Sequence, residues 1–202
     1  MNLILASDSP RRKQLLSFMV PEFKAVSHKV NEEEYDHLPA EELVGQLAIA
    51  KAMSVEGELV IGSDLVVVKR DKHMSKPKDL GQAREYLKLL SGKTHTVYCG
   101  VAVASKDKVL MSVAKSWVVM KPYDDKIIES YIKKFHVLDK GGAYAIQFEL
   151  PGYGSLVESF GGGITTIIGL PLDHLENLLK EFGVKIKAGW QKKCKEETGW
   201  EY

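Results

Sequence analysis

Two β-rich runs, Thr94–Ala104 and Val109–Met120, are separated by only four polar residues, Ser105-Lys106-Asp107-Lys108. A connection that short joins neighbouring strands in antiparallel fashion, because a parallel return needs a crossover of a dozen or more residues. Around this hairpin, strand and helix patterns alternate. Leu3-Ile4-Leu5-Ala6 reads as a buried strand. It leads to Ser9-Pro10, an N-cap followed by a first helical residue, and Leu15, Leu16 and Met19 continue that helix at helical spacing. Residues 23–26 suggest a second strand. Helices are predicted over residues 39–53, 79–90 and 124–135, the last capped by Asp124. Residues 59–68 form a β-rich run interrupted by Gly62-Ser63-Asp64. Gly-rich, β-prone sequence extends to Ile168, and Pro171 opens a last helix with Leu172, Leu175 and Leu179 on its apolar side. The hairpin with this alternation predicts an α/β fold with a mixed sheet.

Composition narrows the function classes. The chain has 202 residues, a formal net charge of +1 and 45% apolar residues. That length fits one large domain or two small lobes around a shared core. The near-zero charge gives no global pull toward nucleic acid or acidic lipid, so any anion site must be local. Cys99 and Cys194 are too few for a zinc quartet or a secreted disulfide scaffold. No apolar run approaches the length of a membrane span, and the N-terminus lacks the pattern of a signal peptide. The expectation is a soluble cytoplasmic protein. One domain is expected over residues 1–187. Residues 188–202, polar and rich in Lys and Glu, read as a loosely held tail or a short amphipathic helix.

Ser7-Asp8-Ser9-Pro10-Arg11-Arg12-Lys13 carries the most chemical information. Cations in the first turn of a helix oppose its dipole. A phosphate there reverses the sign, gaining free N–H groups, serine hydroxyls and two guanidiniums together. The competing reading is a solvated basic turn paired with Glu32, Glu33 or Glu34. Asp64 presents a carboxylate from a strand edge, able to bind Mg²⁺ or accept a proton from water, or it makes a local turn bond beside Gly62. Lys51 falls on the buried face of its helix and must snorkel or find an anion. Lys76-Pro77 and Asp139-Lys140-Gly141-Gly142 are uninformative as isolated motifs. Gln147 reads a base edge or faces water. Gly161-Gly162-Gly163 matches neither a Walker A loop nor a dinucleotide fingerprint. The six histidines show no metal spacing, and Trp117, Trp190 and Trp200 are too dispersed for a stacking stripe.

Six segments, taken in order, resemble the Maf family of nucleoside triphosphate pyrophosphatases: Leu5-Ala6-Ser7-Asp8-Ser9-Pro10-Arg11-Arg12, Gly62-Ser63-Asp64, Lys76-Pro77, Leu90-Ser91-Gly92-Lys93-Thr94-His95, Asp139 through Gln147, and Gly169-Leu170-Pro171-Leu172. The resemblance implies a fold shared with the inosine triphosphatase group, a long twisted mixed sheet forming two lobes around a cleft. It implies a homodimer that hydrolyses a nucleoside triphosphate to monophosphate and pyrophosphate with Mg²⁺ or Mn²⁺. Family members are linked to clearing altered or excess nucleotides and to septum formation.

Carried across by position, Ser7, Arg11 and Arg12 match the phosphate-binding serine and arginine pair. Lys51 and Lys76 match lysines directed at the triphosphate, and Asp64 matches the proton acceptor. Glu32 falls where the family has an acid near the metal, which Asp64 also ligates. Gln147 matches a specificity residue of the branch preferring dTTP and UTP, with Arg12 and position 65 contributing. Leu65 departs from the Thr usual in that branch. Gly142 stands where Ala is usual, and Ile164-Thr165-Thr166-Ile167-Ile168 replaces a Tyr-Tyr-Asn-Val segment. The alternatives are a 7-methyl-GTP pyrophosphatase of the same family and a non-catalytic nucleotide-binding regulator of cell division.

Overall fold

The computed structural model describes residues 2–198. Trp200 and Glu201, part of the C-terminal stretch discussed above, lie outside the described residues. The central sheet has seven strands in the order β2-β1-β3-β5-β6-β9, with β4 paired to β3. The strands are β1 (Leu3–Ala6), β2 (Lys24–Val26), β3 (Leu59–Lys69), β4 (Lys72–Met74), β5 (Thr94–Ala104), β6 (Val109–Met120) and β9 (Val157–Gly161). β1 runs parallel to both β2 and β3, with Leu3, Ile4 and Leu5 opposite Leu59, Val60 and Ile61. β4 is antiparallel to β3 and β9 to β6, so the sheet is mixed, as the sequence predicts. β7 (Glu149–Leu150) and β8 (Gly154–Ser155) form a separate two-stranded ribbon.

The chain divides into two compact units. The first contains residues 1–64, 98–115 and 163–202. Its helices are α1 (Pro10–Met19), α2 (Ala40–Met53), α5 (Ile164–Ile168), α6 (Leu172–Glu181) and α7 (Trp190–Thr198). Its core includes Ile4 and Ala6 from β1, Ala48 and Ala52 from α2, Val60 from β3, and Ala102 and Ala104 from β5. Small side chains dominate because α2 lies almost on the strands. A Cβ at Gly62 would stand 2.1 Å from the Ala48 carbonyl oxygen, and one at Gly100 would stand 2.1 Å from that of Val44. Glycine at these two positions is what permits the approach.

The second unit, residues 65–97 and 116–162, holds α3 (Leu80–Leu90) and α4 (Asp125–Lys134), packed on each other. Asp79 and Asp124 cap them, accepting from the N–H groups of Gln82 and Ile127. Arg84 and Glu129 pair across them through two hydrogen bonds.

Two elements differ from expectation. β3 runs through Gly62-Ser63-Asp64 without a break, because Gly62 serves helix packing and not a turn. The β-branched run 164–168 is helical: all five side chains are buried, and Gly169 closes the helix at φ 118° with its N–H on the Thr165 carbonyl. Burial here overrides strand propensity. Of the two readings of the C-terminal stretch, the structure has the helix: α7 follows the helix after Pro171 and carries the buried Trp190 and Cys194.

Candidate active site

The first unit gathers Ser7, Arg12, Glu32, Lys51 and Asp64. Lys51 sits in the last turn of α2, and Asp64 lies two residues beyond Gly62 on β3. Residues two apart on a strand share a face, so the glycine that admits α2 also turns Asp64 toward it. Lys51 Nζ lies 2.6 Å from Asp64 Oδ1 and 2.7 Å from Glu32 Oε1. Lys51 is 1% exposed and Asp64 8%. The ammonium therefore does not snorkel; it bridges two carboxylates. Glu32 comes from a short 3₁₀ turn, Glu32–Tyr35, which packs on α2. His28 Nε2 stands 3.7 Å from the same Glu32 oxygen. Residues 28–31 are not helical, so the four-residue spacing from Glu32 carries no signal in the sequence.

Ser7, Ser9 and the Gly169 carbonyl organise the start of α1. Ser9 caps this helix, accepting from the Arg12 N–H, and Pro10 occupies its first position. Arg12 Nε donates to the Gly169 carbonyl at 2.8 Å, and Nη1 to Ser7 Oγ at 3.4 Å. Ser7 Oγ also accepts from the Ser9 N–H. The buried Ser63 hydroxyl lies 3.0 Å from the same Gly169 oxygen and 2.8 Å from that of Gly100. One carbonyl thus anchors both the guanidinium and the residue beside Asp64. The anchoring roles of Ser63 and Gly169 have no separate signal in the sequence, since they arise from a contact more than 100 residues long. Arg11 projects from the same first turn, half-buried. Glu32 is committed to Lys51 and His28, and the Arg12 hydrogen bonds just described go to Ser7 and Gly169.

Cys99 Sγ lies 3.6 Å from Ser63 Oγ. Burial pushes its thiol up to about 12, against the opposing pull of Arg12. At neutral pH it is an inert packing residue.

Among the described residues, no three His, Cys, Asp or Glu side chains gather into a metal cage. Asp64 and Glu32 are two carboxylates with Lys51 engaging one oxygen of each. This donor set suits Mg²⁺, which commonly takes one or two carboxylates and completes its shell with water and substrate phosphates.

The remaining sequence candidates belong to the second unit. Lys76 is exposed in the loop after β4, before the buried Pro77. Leu65 packs against Gly141, whose notional Cβ would stand 3.1 Å from Leu65 Cδ2. Gly142 adopts φ 68° against Val67, which favours glycine there over the usual Ala. Gln147 lies in a turn, not a strand, and the residues before it are clamped. Tyr131 Oη accepts from the Ala145 N–H at 3.1 Å, and Tyr144 Oη lies 2.7 Å from His95 Nε2. Phe148 stacks on Phe135 with ring centroids 4.4 Å apart.

Residues 2–182 match the family described as Maf-like protein. The chain belongs to the Maf family. It is 40% identical over 189 residues to a dTTP/UTP pyrophosphatase of Clostridioides difficile (strain 630), covering 90% of this chain and 95% of the relative. It is 38% identical over 196 residues to the dTTP/UTP pyrophosphatase of Clostridium kluyveri (strain NBRC 12016), covering 92% of this chain and 100% of that one. A Bacillus cereus (strain AH187) protein of the same name is 35% identical over 189 residues, covering 91% and 97%. Among the described residues, no helix of this Maf protein is long and apolar enough to cross a membrane.

Proposed function

We propose that this chain is a nucleoside triphosphate pyrophosphatase acting on dTTP, UTP or a close analogue, releasing pyrophosphate and a nucleoside monophosphate. The observation that carries the reading is the buried Lys51 ammonium held between Asp64 and Glu32, in the same unit as the Arg12–Ser7 pair at the start of α1. A binding module for nucleotide has no need of a nearly buried carboxylate beside a polyanion. The names of the curated relatives support the same activity.

In this reading Arg11, Arg12 and Ser7 take phosphate oxygens at the helix N-terminus, where backbone N–H groups and the dipole favour negative charge. Asp64 accepts a proton from the attacking water on Oδ2, the oxygen that Lys51 does not engage. The water oxygen bonds to the α-phosphorus, the bond from that phosphorus to the bridging oxygen breaks, and pyrophosphate departs with its charge met by the arginines and Lys51. A divalent cation, Mg²⁺ or Mn²⁺, held by Asp64 and Glu32 would offset further charge on the phosphates. Lys76 is assigned to the triphosphate, and Gln147 with Leu65 to base preference, on the family resemblance. The reading includes a homodimer working in the cytoplasm.

A pyrophosphate-release assay across dTTP, UTP, CTP, 7-methyl-GTP and ITP, with and without Mg²⁺, tests the proposal. Preferred turnover of dTTP and UTP is the expected result. A preference for 7-methyl-GTP would move the chain to the other branch, and nucleotide binding with no release would make it a regulator.

A further inference from the structure

Helix α1 carries its charge the wrong way round for its dipole. Arg11, Arg12 and Lys13 fill its first turn, no acid accompanies them there, and its own last turn contains no base. The last four carbonyls of a helix also lack partners within it. Two of those in α1 are met by a single residue from the far end of the chain. Lys187 donates its backbone N–H to the Met19 carbonyl at 2.9 Å and its ammonium to the Ser17 carbonyl at 3.0 Å. A third, on Leu16, accepts from the Val20 N–H. Lys187 thus supplies the cation that the end of α1 does not encode.

The segment that delivers Lys187 is held in place. α7 packs on α1, Trp190 is buried, and its Nε1 donates to Glu176 Oε2 on α6 at 2.8 Å. At the opposite end of α1, Arg12 reaches Gly169 and Ser7. Ten helical residues form a rod about 15 Å long. Where its C-terminal end is fixed therefore decides how its N-terminal guanidiniums are presented. Lys187 and α7 both lie beyond residue 182, where the family match ends.

We propose that Lys187 is a positioning residue for polyphosphate binding, acting through α1 on Arg11 and Arg12. The inference rests on the reading of those arginines as phosphate ligands. The experiment uses full-length Lys187→Met and Lys187→Arg, with Arg12→Ala as reference. It measures calorimetric affinity for inorganic tripolyphosphate, then KM and kcat for UTP. Charge at a helix end predicts that Lys187→Met weakens tripolyphosphate binding and raises KM by about two- to fivefold. kcat should stay nearly unchanged, and Lys187→Arg should recover the wild-type values. If Lys187→Met lowers the melting temperature but leaves affinity and KM unchanged, its role is structural and the proposal falls. If Arg12→Ala binds tripolyphosphate as the wild type does, the phosphate reading of α1 falls and takes this proposal with it. Loss of affinity in Arg12→Ala with none in Lys187→Met overturns the positioning role alone. Should Lys187→Met fail to fold, Lys187→Gln carries the same comparison.

Discussion

Lys51 and Asp64 are joined 2.6 Å apart because Gly62, between them in the chain, has no side chain to keep α2 off β3. The ion pair and the glycine form one device. The helix can deliver its ammonium to the strand only at a separation that a Cβ would forbid. Glu32 then shares the ammonium from the surface side.

Removing one member of a buried pair leaves the other charge uncompensated. Lys51→Met should cost about 3 kcal/mol of stability, at the low end for buried pairs because Glu32 is partly exposed. The double variant Lys51→Met/Asp64→Leu should regain most of that loss while turnover stays abolished. Urea denaturation of the single and double variants checks this. A single variant as stable as the wild type would refute the pairing.

Asp64→Asn keeps the shape of the side chain and removes its basicity. Turnover should fall by roughly 10²–10⁴-fold, the range for a positioned base, with KM moving much less. Steady-state kinetics of pyrophosphate release decide the matter, and near-normal kcat would remove Asp64 from proton transfer.

Gly62→Ala would place a methyl group 2.1 Å from the Ala48 oxygen and 2.5 Å from the Ala52 nitrogen, both backbone atoms that cannot rotate away. Overpacking of this kind costs about 1–3 kcal/mol. Displacing α2 should also lengthen the Lys51–Asp64 contact, so activity should fall more steeply than stability. Denaturation midpoints measured beside kcat/KM test the coupling.

His95 is buried beside Tyr144, and its Nδ1 has no hydrogen-bond partner. Burial, helped by the charge of Lys69, pushes the imidazole down from 6.5 to about 4. Between those values the unfolded chain binds more protons than the folded one. The contribution is therefore complete above about pH 6.5 and is lost as pH falls toward 4. From pH 7 to pH 5 this group alone should remove about 2 kcal/mol. Guanidinium unfolding at the two pH values should show a smaller decline for His95→Gln than for the wild type.

Both cysteines are buried and neither is in a disulfide, and the Cys99 thiol is pushed up to about 12. A thiol reagent at pH 8 should leave the native protein essentially unmodified. It should react with two thiols after unfolding. Fast native labelling of Cys99 would contradict the packing around Ser63.

Local chemistry made much of the fold readable from the residues alone. Ser9-Pro10 starts α1, Asp124 caps α4, and the polar Ser105–Lys108 connection fixes the β5–β6 hairpin, because each signal acts on backbone groups within a few residues. The resemblance of the ordered motifs to the Maf family was readable in the same way, and family membership is shown by the match over residues 2–182. Gly62-Ser63-Asp64 was visible as a motif, but not as the interior of a strand, since the reason for its glycine is a helix that arrives from elsewhere. The helix at 164–168 was hidden for a related reason: burial of Ile164 through Ile168 outweighs what β-branched residues prefer in isolation. Sequence placed Lys51 on a buried face and left its partner open. Only the tertiary packing of α2 against β3 chose Asp64 and Glu32, just as it brought Gly169 to Arg12 and Lys187 to the end of α1. Such choices depend on distances between residues far apart in the chain, and propensity, which acts over one or two turns, carries no information about them.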